Sequence, residues 1–303
     1  MLYADIVEIT SVKTIAGGDG FFSYPSGICR YNKAGSENRS SLLYIADMNN
    51  KRVCWLTEDG SAGALASDII GDSSCFSLSR PLAVCVTSGG TLFTVDAELN
   101  KIFYKDPNEE FWNPIKIKIE DDNTPLNLPG GIALDLDRNI YVSDFLNDRI
   151  VKIDRNGRLE TLLWSGEGLS KPYGIYCYGE RLYYTDTGNA RIGYIDLRNR
   201  QVHHVLIHGS HKLDYPIAIT LDIDGNIYLC ENRSMYFIDI NDNTLSLIVN
   251  NSIWKELMDK YGIANRICHM GSIVVRGNSD NAEVCWADTV KGYVYLMRLR
   301  FRR

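Results

Sequence analysis

The chain of 303 residues contains no unbroken run of about 18 apolar residues, so neither a bilayer-crossing helix nor membrane insertion is expected. It has no surplus of base either. Its 32 Lys and Arg face 38 Asp and Glu, a formal net charge of −6, which argues against a general nucleic-acid binder, because phosphate contacts need clustered Lys and Arg. A local basic patch stays open. The eight cysteines include no C-x-x-C pair, and there is no G-x-S-x-G nucleophile turn, no phosphate-cradling glycine loop and no H-E-x-x-H. Those absences exclude the motif-borne forms of thiol redox, serine hydrolase, nucleotide and zinc-peptidase chemistry, and no cofactor is expected. They leave open a site assembled from distant strands. Prolines are few, eight in all, and five of them recur in a single context.

What is present describes a soluble globular chain. Hydrophobic residues make up 45% and charged residues 23%, ample material for a core. The opening MLYADIVEITSVK carries Asp5 and Glu8 among alternating apolar residues, as a strand does and a cleaved signal does not. Six cysteines (Cys29, Cys54, Cys85, Cys177, Cys230, Cys285) fall inside apolar strand-like runs, where reduced thiols act as small hydrophobes. A reducing, cytoplasmic compartment is favoured. Three Asn-x-Ser triplets at Asn38, Asn232 and Asn250 keep an extracellular one in play.

Self-similarity decides the architecture. An acid closes an apolar run six times: LLYIAD at Asp47, TLFTVD at Asp96, NIYVSD at Asp144, RLYYTD at Asp186, NIYLCE at Glu231 and EVCWAD at Asp288. Ahead of each stands a Pro two residues before a small residue: Pro25/Gly27, Pro81/Ala83, Pro129/Gly131, Pro172/Gly174 and Pro216/Ala218, with Met270/Ser272 the variant. A period of this length marks a propeller or solenoid. The best-formed copy reads as four short strands, GIALD, NIYVSD, RIVKI and LETLLW, separated by hairpin signals. The expected fold is all-β: a six-bladed β-propeller of four-stranded antiparallel blades. The sixth unit runs out after three strands, and residues 7 to 16 fit as its missing fourth. One monomeric domain spans 1–303, with blades near 17–70, 71–120, 121–165, 166–210, 211–250 and 268–303, closed by strand 7–16, and a helical insertion at 250–267. In the insertion Ser252 reads as N-cap, Trp254, Leu257, Met258 and Tyr261 share a face, and Gly262 is the stop.

Between second and third strands the acid is followed by Asn and Arg: Asp47, Asn50, Arg52; Asp144, Asn147, Arg149; Asp186, Asn189, Arg191. Chemistry needed once would not recur around a ring, so these nine residues are assigned to structure. The pattern P-x-G-[IV]-A-[LV]-D, N-I-Y-V-[AS]-D, N-x-R-I, plainest at 129–153 and 172–195, resembles the NHL repeat, and the resemblance covers essentially the whole chain. Blades five and six depart from it at Glu231 and Asp288. The peptide-amidating lyase propellers resemble this repeat and hold zinc through His on inner strands, where this chain offers only His269. Gluconolactonase-like propellers use carboxylates and Asn at the channel mouth. The corresponding positions here are Tyr24, Arg80, Leu128, Lys171, Tyr215 and His269, with no carboxylate, so no metal is expected.

Other acid and imidazole groupings read as structure. The turns DLDRN (135–139) and DIDGN (222–226) lack the Gly and Glu of a calcium loop. His203, His204, His208 and His211 occupy an outer-rim run, with His204 and His208 on one face of a strand. The loop 32–41 is polar, and the ending RLRFRR is a solvated strand end, a junction or a small anion patch.

The starts of first strands and the ends of second strands share one propeller face. On it Tyr24, Arg80, Lys171, Tyr173, Tyr215 and His269 ring the channel, residue types common at binding hot spots. The expected function is a non-catalytic platform presenting that face to a protein or peptide segment, a scaffold module of a larger assembly. One alternative is single-stranded RNA held by Arg52, Arg80, Arg149, Lys171 and Arg191, with bases stacked on Tyr24, Tyr173 or Tyr215. A second alternative is a metal-dependent lyase or hydrolase over the channel with His269 as a ligand.

Overall fold

The computed structural model describes residues 7–17, 20–32, 41–70, 75–118, 124–209, 211–263 and 269–301. Six four-stranded antiparallel sheets stand as blades around a central channel. Their inner strands are Pro25–Tyr31, Pro81–Val86, Pro129–Leu134, Pro172–Tyr178, Pro216–Leu221 and Met270–Arg276. Each inner strand touches the next, and the sixth touches the first. Val7–Ala16 pairs antiparallel with Tyr293–Phe301, from Val7 opposite Phe301 to Ala16 opposite Val294. The outermost strand of blade 6 is thus supplied by the start of the chain, which leaves no long unpaired edge where the ends meet.

The proline landmark has a physical cause in the ladder. In all six blades the pairing slips just after the first residue of the inner strand, as between Pro25 and Gly27 or Pro81 and Ala83. A residue at such a bulge need not donate to the ladder, so Pro costs nothing there. Where blade 6 has Met270 instead, its free N–H donates to the Asn232 carbonyl at 2.6 Å. The small residue that follows answers a different demand. A Cβ on Gly27 would lie 2.6 Å from the Cα of Ala83, and one on Gly174 2.8 Å from the carbonyl oxygen of Ile217. Backbone meets backbone between neighbouring inner strands, and neither can yield.

Burial alternates along the strands and fills the wedges between blades. Leu299 and Phe301 are buried while Arg298 and Arg300 face solvent, so this part of the basic ending is a strand edge, with Arg298 paired to Glu283 at 2.9 Å. The wedge between blades 5 and 6 is the most aromatic. Trp254 meets Trp286 edge-on at 5.6 Å, and Trp286 stacks on Tyr295 at 5.1 Å. Trp254 comes from the helix Asn251–Tyr261, whose buried residues are Trp254 and Leu257. Its N-cap is Asn250 and not Ser252: the Asn250 carboxamide oxygen accepts from the backbone N–H of Ser252 and Ile253, both at 3.0 Å. Asn is at least as good a cap as Ser, and its position one residue ahead of the first helical turn decides the matter. Gly262 closes the helix at φ 67.

Blade 2 differs from the best-formed unit. Its outer strand is two residues, Asn113–Pro114, and the connector before it forms an extra hairpin, Asp68–Ile70 with Cys75–Ser77. Trp112 is fully buried behind that hairpin and donates from its indole N–H to the Ala66 carbonyl at 2.9 Å. Residues 33–40 of the polar loop and the last two arginines lie outside the described residues.

Candidate functional site

The Asp-Asn-Arg clusters lie on the face where the inner strands begin. In blade 3 the buried Asp144 accepts the Asn127 N–H at 2.6 Å with one oxygen. With the other it accepts the Asn147 carboxamide and the Arg149 Nε–H, both at 2.7 Å. Arg149 and Asn147 then donate onward to the carbonyls of Thr124 and Pro125. The cluster thereby fastens the incoming connector to the strand turn. Asp47 repeats it with Ser23, Asn50 and Arg52, and Asp186 with Ser170, Asn189 and Arg191. Three of the five cations expected to hold RNA are consumed in this way, and Arg149 is 3% exposed. The basic face drawn from the sequence does not exist as such.

Two unengaged cations remain at the mouth. Arg80 and Lys171 are exposed, and neither side chain has a hydrogen-bond or ion-pair partner among the described residues. Their backbones are fixed. The Arg80 N–H donates to Asp96 at 3.0 Å and the Lys171 N–H to Asp148 at 2.6 Å. Tyr24, Leu128 and Lys171 adopt left-handed φ values of 57, 50 and 48, unusual for residues with a Cβ. At Leu128 the Asn100 side chain holds the N–H at 2.8 Å.

Tyr173 lines the channel. Its ring covers Gly130 of the previous blade, where a Cβ would come within 3.1 Å of Cδ2, and meets Phe145 edge-on at 5.8 Å. Burial pushes its phenol up to about 12, with the phenols of Tyr24 and Tyr215 adding to the rise and the Arg80 charge opposing it. The starts of the inner strands of blades 1, 2, 4 and 5 bring Tyr24, Arg80, Tyr173 and Tyr215 to one face, where the first two and the last act electrostatically on the Tyr173 phenol. Among the described residues none of the three phenol hydroxyls has a protein partner. At neutral pH the guanidinium is a donor only, and each phenol hydroxyl can donate or accept. Below it a cavity of about 450 Å³ runs through the ring.

His269 stands on the same face on blade 6. Its Nδ1 lies 2.9 Å from the Thr289 hydroxyl, and its carbonyl accepts the Thr289 N–H at 2.9 Å, so ring and backbone are both held. Burial lowers the imidazole pKa below its usual 6.5, with Arg233 contributing and Asp288 opposing. The ring is neutral at pH 7, with Nε2 free of the Thr289 contact. Phe145 and Thr289 were not singled out from sequence. Each directly follows a repeat acid, Asp144 or Asp288, and that position was the one signal available.

Other sequence candidates do not assemble into sites. His203 and His204 lie in Val202–His204, but His208 sits in a separate bridge to Thr244, so His204 and His208 share no strand face. His203 stacks on Tyr194 at 4.7 Å. Asp135 and Asp222 bind the turn amides of Asn139 and Asn226 and take the hydroxyls of Tyr141 and Tyr228, as hairpin fasteners do. Cys29, Cys85 and Cys177 line the channel, yet burial holds all three thiols well above their usual pKa, which keeps them protonated and unreactive. Among the described residues no group of three or more His, Cys, Asp or Glu is placed to hold a metal ion. Among the described residues the mouth offers His269 but no ligand set for the zinc or calcium centre that the lyase or hydrolase alternative would need.

No protein-family model matches the chain, so membership of the NHL family is not shown. Solved structures share its fold. A gluconolactonase from Xanthomonas campestris superposes with a TM-score of 0.66 at 14% identity, over 97% of this chain and 95% of that one. A streptogramin B lyase gives 0.62 at 14% identity, over 98% of both chains. A chain of a nidogen/laminin complex gives 0.57 at 16%, over 82% of this chain and 89% of that one. Two of these three are enzymes. The expectation of a non-catalytic scaffold is thereby corrected, because proteins of the same architecture carry out chemistry. The chain is a six-bladed β-propeller of the architecture seen in those enzymes.

Proposed function

We propose that the protein is an enzyme that cleaves a C–O bond of an ester or lactone, by hydrolysis or elimination, in the mouth of the central channel. The observation that carries this reading is the convergence of Tyr24, Arg80, Tyr173 and Tyr215 from four blades as unpartnered donors over the channel. Such donors stabilise the oxyanion that develops on a carbonyl oxygen as the bond breaks. His269, neutral and anchored through Nδ1, supplies the base. Nε2 takes the proton from an attacking water, or from the carbon beside the departing oxygen. The gluconolactonase and the streptogramin B lyase support the reading by showing that this ring accommodates both kinds of reaction. No step passes through a metal ion.

The test is turnover of a panel of lactones and aryl esters by the purified protein. His269→Gln is expected to lower kcat by roughly 10²–10⁴-fold, and Tyr173→Phe by about 10²-fold. Absence of turnover across the panel, or an unchanged rate in His269→Gln, would remove the proposal. The pH profile adds a check of sign. Because the imidazole pKa is lowered, kcat/KM rises with pH through a midpoint below 6.5, and the plateau holds until Tyr173 ionises towards about 12. A midpoint above 6.5 would rule out His269 as the base. A reducing compartment also belongs to this reading, since the six cysteines described are all free. Alkylation of native, unreduced protein followed by mass spectrometry tests it.

A further inference from the structure

Resting on the reading above, we infer that the substrate carries an anionic oxygen group, of the carboxylate or phosphate class, and that Arg80 anchors it with the Tyr173 and Tyr24 hydroxyls. The reason is an unengaged guanidinium at the mouth, the one charged group of the face that acts on the Tyr173 phenol. Four acids of the turns on this face are engaged: Asp96 binds the backbone N–H of Ser79 and Arg80, Asp144 and Asp186 bind arginine and asparagine, and Asp148 binds the Lys171 N–H, while Glu98 and Asp214 are exposed. Arg80 and Lys171 project from the first positions of blades 2 and 4 with no partner among the described residues, whereas Arg52, Arg149 and Arg191 are each paired.

A guanidinium offers only donors, and each of the three phenol hydroxyls on its face can donate as well as accept. A neutral ester would satisfy one or two of them, while an oxyanion bonded by a charged fork fits the set. The apolar part of the same molecule has a place as well. The rings of Tyr173 and Phe145 form one wall, and Leu146 and Tyr215 are half exposed beside the mouth, at 52% and 47%. The chemistry indicated is an ester or lactone whose acid portion bears a second, ionised group close to a flat or branched apolar body.

Binding decides this without reference to turnover. Benzoate, phenyl phosphate and neutral methyl benzoate are titrated against the protein by calorimetry and by chemical-shift perturbation. Both anions are expected to bind at least about tenfold more tightly than the ester, with affinity that falls as salt rises. Arg80→Gln should remove that advantage, Arg80→Lys should restore part of it, and Arg138→Gln on the opposite face should leave it intact. The preferred anion says whether carboxylate or phosphate is the natural group. Methyl benzoate binding as tightly as the anions, or Arg80→Gln binding like the wild type, overturns the inference. Turnover of neutral lactones only, with no gain from an added carboxylate, overturns it while leaving the proposed activity standing. Anion binding that depends on Arg80, without turnover of any ester, sinks the activity instead.

Discussion

A chain lacking residues 1–16 will not give a cooperative unfolding transition at 25 °C. Val7–Ala16 is the outer strand of blade 6, and it carries Val12 and Ile15 into the core with Val7 and Ile9 packed at its margin. At about 1.5–3 kcal/mol for each fully buried aliphatic side chain, the two buried residues and part of the other two come to about 4–8 kcal/mol. That is comparable with the whole stability of a typical domain, about 5–15 kcal/mol. The strand's hydrogen bonds with Tyr293–Phe301 are lost as well, and a nine-residue edge becomes open to other chains. Denaturant unfolding followed by tryptophan fluorescence is the measurement. Adding the 1–16 peptide in trans should restore the transition, and a truncated protein that unfolds cooperatively at the full-length midpoint would show that closure does not depend on this strand.

Asp144→Ala is the point substitution with the largest expected cost, about 3–5 kcal/mol. It leaves the Arg149 guanidinium buried without its carboxylate and frees the Asn127 N–H and the Asn147 side chain at once. The corresponding changes at Asp47 and Asp186 should cost less. The arginine side chain is 4% exposed beside Asp144, 25% beside Asp47 and 36% beside Asp186, and water can take over from a lost partner in proportion to that exposure. Midpoints of urea unfolding should therefore fall most for Asp144→Ala, less for Asp47→Ala and least for Asp186→Ala. Equal losses at all three would mean that burial of the ion pair does not set the cost.

Much of the ring was legible because its constraints are local and repeated. Each proline marks a bulge, each small residue a backbone approach, and each acid a turn, and a requirement met six times leaves six copies of its signature. The N-cap was misplaced by two residues because Asn250 and Ser252 are both good caps and only the path of the backbone chooses between them. The extra hairpin of blade 2 left no repeat to find. The mouth was legible in its members and not in its meaning. Arg52, Arg149 and Arg191, assigned to the repeat clusters and also offered to RNA, are bound to Asp47, Asp144 and Asp186, whereas Arg80 and Lys171 have no such partner among the described residues.

By itself the sequence determined the fold class, the number of blades and the strand that closes them, since periodic hydrophobicity and turn chemistry act over a few residues at a time. Only the tertiary structure decided which side chains meet. Tyr24, Arg80, Tyr173 and Tyr215 lie up to 191 residues apart in the chain, and they come together because six inner strands crowd about one axis with their first residues on the same face. Which cations keep their charge for a ligand is likewise settled by the turns that take up the carboxylates, a property of packing that no spacing records.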